Sequence, residues 1–362
     1  MKNMNYCVIM AGGIGSRFWP VSTSKVPKQF IDILGVGKSL LQLTFDRFRD
    51  LIPQENIIIV TSQQYKDLVI KQLPGLPEEN ILTEPMRRNT APCISYANHV
   101  IQSRTPRANV VVTPADHLII DEKAFTKNIS EGLDFVSNRN VLLTIGIKPT
   151  RPDTGYGYIQ LHKKSKSDDR FTIVKTFTEK PNQELAEFFV ESGEFLWNAG
   201  IFIWSLSSIN KAMKEHLPEI HNLFTEGKDI FGTEDESDFI NEVYTECKNI
   251  SIDYGVMEKA KNVYTLCADF GWSDLGTWKS LYENSNKDKT QNVITGSKHI
   301  ITNNTHGCLI HTRADKLAVI NNMENYIIVD SGDALLINRF EDEQEIKEIV
   351  AEIKRRYGED KA

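Results

Sequence analysis

The stretch Cys7 to Phe30, CVIMAGGIGSRFWPVSTSKVPKQF, constrains this chain more than any other. A short apolar run, Tyr6 to Met10, ends in Ala11, Gly12, Gly13 and Gly15 and passes through Ser16 and Arg17 to two prolines, Pro20 and Pro27, and Lys28. That is a strand running into a phosphate loop. Glycines let backbone N–H groups approach an anion closely, and cations placed nearby neutralise it, so a polyphosphate is the natural ligand.

The chain up to about residue 147 alternates strand-like and helix-like segments, the rhythm of a parallel sheet with crossover helices. Buried strands are expected at Cys7 to Met10, Ile57 to Thr61, Val110 to Thr113 and Val141 to Ile145, all short β-branched runs. Ser39 is expected to cap one helix and Thr90 another that carries Pro92 in its first turn. After Pro149 the segments RPDTGYGYIQL and FTIVKTFTEKP read as two strands of a hairpin-like insertion joined by the charged turn KKSKSDDR. A helix from Gln183 to Val190, the strand WNAGIFIW and an amphipathic helix around Ile209 to Phe224 follow. The acidic stretch EGKDIFGTEDESDF reads as a solvated connection or a short helix, because its charges are costly to bury.

From about Asn292 short strands are broken by polar turns, the texture of a small all-β unit with β-helix-like stacking. Glu341 to Gly358 reads as a helix with the apolar stripe Ile346, Ile349, Val350 and Ile353, which must dock on this chain or on a second copy. The fold expected is therefore α/β: a doubly wound, Rossmann-like domain over residues 1–289, and a β-rich unit with a terminal helix over residues 290–362, serving packing or dimerisation.

A net charge of −7 argues against a general binder of nucleic acid or membrane surface, since either needs a basic face. Any phosphate ligand must be held locally. The five cysteines (Cys7, Cys93, Cys247, Cys267 and Cys308) are scattered and form no CxxC pair, so reduced thiols are expected rather than a disulfide framework or zinc site. No apolar run approaches the roughly 20 residues of a membrane span. With MKNMNYCVIM lacking a signal-peptide core, the expected compartment is the cytoplasm.

Two common glycine-loop readings fail. In a dinucleotide fingerprint begun at Gly13 the third glycine position is Phe18, and no acidic residue closes the strand IIIVT. The triplet Gly37-Lys38-Ser39 imitates a P-loop, yet Asp32 stands where its first glycine belongs, so Lys38 is expected at the surface.

The whole stretch AGGIGSRFWPVSTSKVPKQF resembles the signature of the sugar-1-phosphate nucleotidyltransferases, and its RFWP and PKQF forms are similar to the mannose-1-phosphate guanylyltransferase (GDP-mannose pyrophosphorylase) branch. EPMRRNTAP, TPADHLI, GYGYI, FTEKP, WNAGIFIW and GWSDLGTW follow in the family's order, so the resemblance covers roughly residues 5 to 340. It implies a mixed-sheet catalytic domain in which GTP and mannose 1-phosphate combine to GDP-mannose and pyrophosphate by in-line attack on the α-phosphorus. Two polyanions must meet, so the site needs a divalent metal, cations and backbone donors.

On this resemblance Asp116, which follows the strand VVVTPADH, is a Mg²⁺ ligand, and Asp274 is the second carboxylate. His117 is open between a structural and a catalytic role. Arg17 and Lys28 hold the triphosphate and the charge developing on pyrophosphate. Ala11, Gly12, Gly13, Gly15 and Ser16 bind the nucleotide. Glu84 can accept from guanine N1–H and N2–H₂, with Asn89 and Thr90 adding contacts, or Glu84 can instead pair with Arg87 or Arg88. Lys180 grips the sugar phosphate, Glu179 and Asn198 accept from mannose hydroxyls, and Gly155, Tyr156 and Gly157 let backbone approach the sugar. Trp197, Trp204, Trp272 and Trp278 are expected in the core.

Other readings are the same reaction with another base or sugar phosphate, and a catalytically silent regulatory relative. The silent relative should have lost a key group, yet Arg17, Lys28, Asp116, Lys180 and Asp274 are all present. A second, isomerase activity is not expected. The partners expected are the substrates and products, with no nucleic acid or membrane, and a second copy in a homodimer.

Overall fold

The computed structural model describes residues 4–162 and 170–361. By contacts the chain divides into two compact units, neither continuous in sequence. One comprises Met1–Gly12, Phe45–Ala115 and Ile119–Trp272; the other comprises Gly13–Thr44, Asp116–Leu118 and Ser273–Ala362. The boundary expected at residue 290 falls inside the second unit. Of the charged turn KKSKSDDR only Arg170 lies within the described residues.

The first unit is built on a nine-stranded sheet. Its order is Ile81–Glu84, Ile57–Ser62, Met4–Met10, Ala108–Pro114, Phe195–Ser205, Leu142–Ile147, Val263–Ala268, Phe171–Glu179 and Gly157–Leu161. The first four strands are parallel, as their β-branched runs predict. Phe195–Ser205 then lies antiparallel to both Ala108–Pro114 and Leu142–Ile147, which makes the sheet mixed. The two strands expected as a hairpin do pair antiparallel, and they extend the main sheet rather than standing apart from it.

The chain steps from Met4–Met10 outward to one side through two strands and returns to its other side at Ala108–Pro114. Such a reversal of strand order is where open α/β sheets bind ligands, beyond the carboxyl ends of the strands. Met10 and Pro114 are register partners there, and the Ala115 N–H donates to the Met10 carbonyl. Behind this edge, Val8, Ile58, Val110 and Trp204 pack against helices including Thr90–Arg104, Leu206–His216 and Glu236–Glu246. Trp197, Trp204, Trp272 and Trp278 are all buried.

Two local expectations need correction, and a third is resolved between its alternatives. The helix expected around Ile209 to Phe224 is two, Leu206–His216 and Pro218–Glu226, because Pro218 has no N–H to continue the first. The acidic stretch ends in a helix, Glu236–Glu246, whose first turn holds Glu236 and Asp238 where the macrodipole favours anions. The cap of the helix Thr90–Arg104 is Asn89, not Thr90. Its side chain accepts from the Thr90 N–H at 2.9 Å and its φ is 68°, a backbone that Asn tolerates better than most residues, while the Thr90 hydroxyl accepts from the Ile252 N–H.

In the second unit short strands stack as coils. Val293–Thr295, Leu309–Thr312 and Tyr326–Asp330 are parallel neighbours, and Ile300–Asn303 pairs parallel with Ala318–Asn321. Asn303 bonds Asn321 and Asn304 bonds Asn322, each 18 residues on, with Asn304 and Asn322 both at positive φ. The strand Leu335–Arg339 closes the stack antiparallel. Val293, Leu309, Ile327 and Leu336 share a core with Phe18, Trp19 and Trp278, and the terminal helix Ile346–Tyr357 buries Ile346 and Val350 in it. The apolar stripe thus docks on its own chain. A 3-10 turn, Glu343–Glu345, precedes that helix, so its α-helical part begins at Ile346 rather than at Glu341.

Candidate active site

The loop after Met4–Met10 is shaped by its own side chains. Gln29 Nε2 donates to the Gly13 carbonyl and Ser22 Oγ to the Ile14 carbonyl, both at 2.9 Å. Gly15 sits at φ 65°, and a Cβ there would lie 2.5 Å from the Lys28 Cβ, so any side chain is excluded twice over. A Cβ on Gly13 would meet nothing within 4 Å.

Gly15 lies over Lys28 because Lys28 is the hub of the second unit's polar site. Its side chain is only 5% exposed, and its Nζ lies 2.8 Å from Asp116 Oδ2 and donates to the carbonyls of Asp274 and Leu275 at 2.9 Å each. Leu275 reaches this position at φ 45°, a strained backbone for a buried leucine. Burial alone would raise the Asp116 carboxyl, but the Lys28 ammonium, then His117, outweigh it and hold the carboxyl below its usual range. The ammonium expected to grip GTP is thus engaged within the protein, ordering the two carboxylate loops.

Arg17, Lys28, Asp116, His117 and Asp274 line one cavity of about 320 Å³, with Gly15, Ser16 and Gly276 completing its rim. Arg17 Nε is buried without a hydrogen-bond partner, an orphaned donor of the kind that an anion satisfies. Asp274 Oδ1 accepts from the Gly276 N–H at 2.9 Å. Among the described residues no group of three or more His, Cys, Asp or Glu could hold a metal ion. Two carboxylates in one polar cavity nevertheless fit Mg²⁺, which takes one or two carboxylates and completes its octahedron with water and phosphate. Lys347, from the terminal helix, lines the same cavity; its sequence signal was no more than a charge beside an apolar stripe.

In the first unit, Glu84 ends the strand Ile81–Glu84 and is 8% exposed. Its Oε1 accepts from the Tyr244 hydroxyl at 2.9 Å, and its Oε2 lies 3.2 Å from where a Cβ on Gly12 would be. Burial pushes its carboxyl up to about 7 against the pull of Tyr244 and Arg87. Neither arginine pairs with it directly: Arg87 donates to the Tyr65 hydroxyl and Arg88 to the carbonyls of Tyr244 and Thr245. Ala11 continues the strand, its N–H on the Val60 carbonyl.

The same unit gathers Gly157, Glu179, Lys180 and Asn198. A Cβ on Gly157 would collide with Glu179 Oε2 and come within 3.5 Å of the Asn198 Cβ. Lys180, at φ 47°, pairs with Glu179 at 3.3 Å and is 64% exposed. Asn198 donates to Asp253 Oδ1 at 2.8 Å and accepts from Thr144 and Gly200. Asp253 was not singled out in the sequence; its carboxyl is pushed up to about 6 by burial and then by Glu179. Two members fit less directly. Gly155 is exposed in a turn held by Asp153, and Tyr156 is buried edge-on to Trp197 and Trp272, with its carbonyl accepting from the Lys180 N–H.

A family model described as "Nucleotidyl transferase" matches residues 6–291. The chain is 36% identical over 352 residues to an Escherichia coli mannose-1-phosphate guanylyltransferase, covering 95% of this chain and 74% of that one. A Klebsiella pneumoniae protein of the same description is 35% identical over 354 residues, covering 96% and 73%. Among solved structures, a Thermus thermophilus protein described as mannose-1-phosphate geranyltransferase superposes with a TM-score of 0.86 at 29% identity, covering 98% of this chain and all of that one. By the family model over residues 6–291 and by these relatives, the chain belongs to the nucleotidyl transferase family.

Proposed function

We propose that this protein is a mannose-1-phosphate guanylyltransferase, joining GTP and mannose 1-phosphate to GDP-mannose with release of pyrophosphate. The observation that carries the reading is the cavity in which Lys28 orders Asp116 and the Asp274 loop beside the unsatisfied Arg17. It is joined by the likeness, over nearly the whole chain, to proteins described by that activity. A phosphate oxygen of mannose 1-phosphate forms a bond to the α-phosphorus while the bond from that phosphorus to the β-phosphate oxygen breaks. Arg17 offers a forked cation to the leaving pyrophosphate, and the loop at Gly12 to Ser16 offers backbone donors.

Asp116 and Asp274 would hold Mg²⁺, which when bound supplies charge neutralisation between the two polyanions. Lys28 keeps Asp116 ionised for that task. Glu179, Asp253 and Asn198 form a polar group suited to sugar hydroxyls, with Lys180 for the sugar's phosphate. The expected result with four nucleoside triphosphates tested against several sugar phosphates is pyrophosphate release that requires a divalent cation and is fastest with GTP and mannose 1-phosphate. Equal rates with another pair would replace the substrate assignment. A silent regulatory relative is not favoured, since Arg17, Lys28, Asp116, Lys180 and Asp274 are all present.

Guanine is assigned to Glu84, whose ionised carboxylate can accept from N1–H and N2–H₂ together. Glu84→Gln keeps an acceptor for Tyr244 but loses the second charge-assisted bond, so KM for GTP should rise about ten- to a hundredfold, and preference for GTP over inosine triphosphate should collapse. The same variant tests the carboxyl's burial. The folded value of about 7 lies above the ordinary 4.5, so the unfolded chain releases its proton first and stability falls as pH rises from 4.5 through 7. Glu84→Gln should therefore be more stable than the parent by on the order of 3 kcal/mol at pH 8, with little difference at pH 4. Urea unfolding at the two pH values measures it.

A homodimer is supported by exposed apolar residues on the coil strands, Ile301, Val319, Leu335 and Ile337 among them. Light scattering should then give twice the chain mass. The cytoplasm is the proposed compartment, in keeping with five free thiols; cell fractionation tests it. No helix among the described residues is long and apolar enough to cross a membrane.

A further inference from the structure

The terminal helix Ile346–Tyr357 has an evident packing role, since Ile346 and Val350 enter the core beside Phe18 and Trp19. Lys347 is one residue, about 100° of helix, away from Ile346, so it lies off that stripe. It lines the cavity of Arg17, Asp116 and Asp274, and also an adjoining cavity of about 240 Å³ along Ser16 and Ser22.

The helix is fixed to these walls at both ends. Before it, the buried Glu343 accepts from the Lys279 N–H at 2.7 Å, a short way along the chain from Leu275. Beyond it, the Lys361 carbonyl accepts from Trp19 Nε1 and the Glu359 carbonyl from Ser24 Oγ, both at 3.0 Å. Lys347 is thereby carried by a braced element and not by a loose end.

Charge balance gives this position its meaning. Lys28 is matched by Asp116, and Glu343 lies close enough to Arg17 to feel its charge. A triphosphate or a departing pyrophosphate in this cavity brings several negative charges, more than one guanidinium offsets.

We propose that Lys347 binds the β- and γ-phosphates of the nucleotide and the pyrophosphate they become, so that the terminal helix supplies a substrate-contacting residue. This rests on the guanylyltransferase reading above. Lys347→Met, which keeps the apolar stem, should raise KM for GTP and, in the reverse direction, for pyrophosphate by about ten- to a hundredfold. KM for mannose 1-phosphate and for GDP-mannose should stay within about twofold. Lys347→Arg should restore most of the loss, and the control Arg356→Met, on the opposite face of the same helix and lining neither cavity, should behave as the parent.

Pyrophosphate binding to the full-length protein, followed by calorimetry, should weaken by the same factor in Lys347→Met with an unchanged unfolding midpoint. Parental KM values and parental pyrophosphate affinity in Lys347→Met would overturn the proposal, as would an equal rise in KM for mannose 1-phosphate. If the parent instead makes no GDP-mannose, the guanylyltransferase reading fails, and the pyrophosphate titration still decides the role of Lys347.

Discussion

Asp274→Asn is expected to lower guanylyl transfer by on the order of a thousandfold while leaving the unfolding midpoint near that of the parent. The asparagine oxygen can still accept from the Gly276 N–H, so the turn that presents residue 274 keeps its bond. What disappears is negative charge in the cavity that Asp116 shares. Asp116→Asn should lose activity to a similar degree but also some stability, because it leaves the buried Lys28 ammonium without its counter-charge. Calorimetric titration with a divalent cation in the presence of GTP should show weaker binding in both variants. Full activity in both would sink the metal assignment.

Lys28→Met should have the larger effect on stability. It removes the donor that serves the Asp116 carboxylate and two backbone carbonyls, one of them on the strained Leu275. With Asp116 31% exposed, the cost is below that of a fully buried pair, about 2 to 4 kcal/mol. Its pH dependence has a defined sign. In the parent the Asp116 carboxyl titrates below the ordinary 3.8, so its contribution is present above that value and is lost as pH falls through the depressed one. In Lys28→Met the largest pull against burial is gone and the carboxyl's pKa rises, so the deficit is full at neutral pH and shrinks toward about pH 3. Lys28→Met/Asp116→Asn should regain most of the stability and none of the activity. A double variant as unstable as the single would mean that the ion pair is not the cause.

The strands of the parallel half were legible because each is a compact β-branched run, and buried parallel strands need little else. The position of Phe195–Ser205 was not. Its residues read as a strand, but which neighbours it takes depends on register with residues roughly 50 to 100 positions away, and local pattern carries no such information. The same limit governs the site. Arg17, Lys28, Asp116 and Asp274 stand in distinctive motifs, and the structure brings them into one cavity. Tyr244 lies in an ordinary helix and Asp253 at the start of a short π-helical turn, and they acquire meaning only through Glu84 and Asn198, 160 and 55 residues away. Lys28 was visible as a cation, yet its engagement with Asp116 and two carbonyls could not be read from its motif.

The asparagine rungs carry a consequence for how such a chain can change in length. Asn303 meets Asn321 and Asn304 meets Asn322 because that circuit of the stack takes 18 residues, the spacing of the inward-facing Leu309 and Ile327, whereas the circuit from Val293 to Leu309 takes 16. Insertion of a single residue within a rung would turn every later inward side chain outward, whereas a whole added circuit would leave each of them facing the core. Register is therefore guarded within the strands, while the two-residue difference between the circuits is taken up in the turns, and the antiparallel strand Leu335–Arg339 terminates the stack.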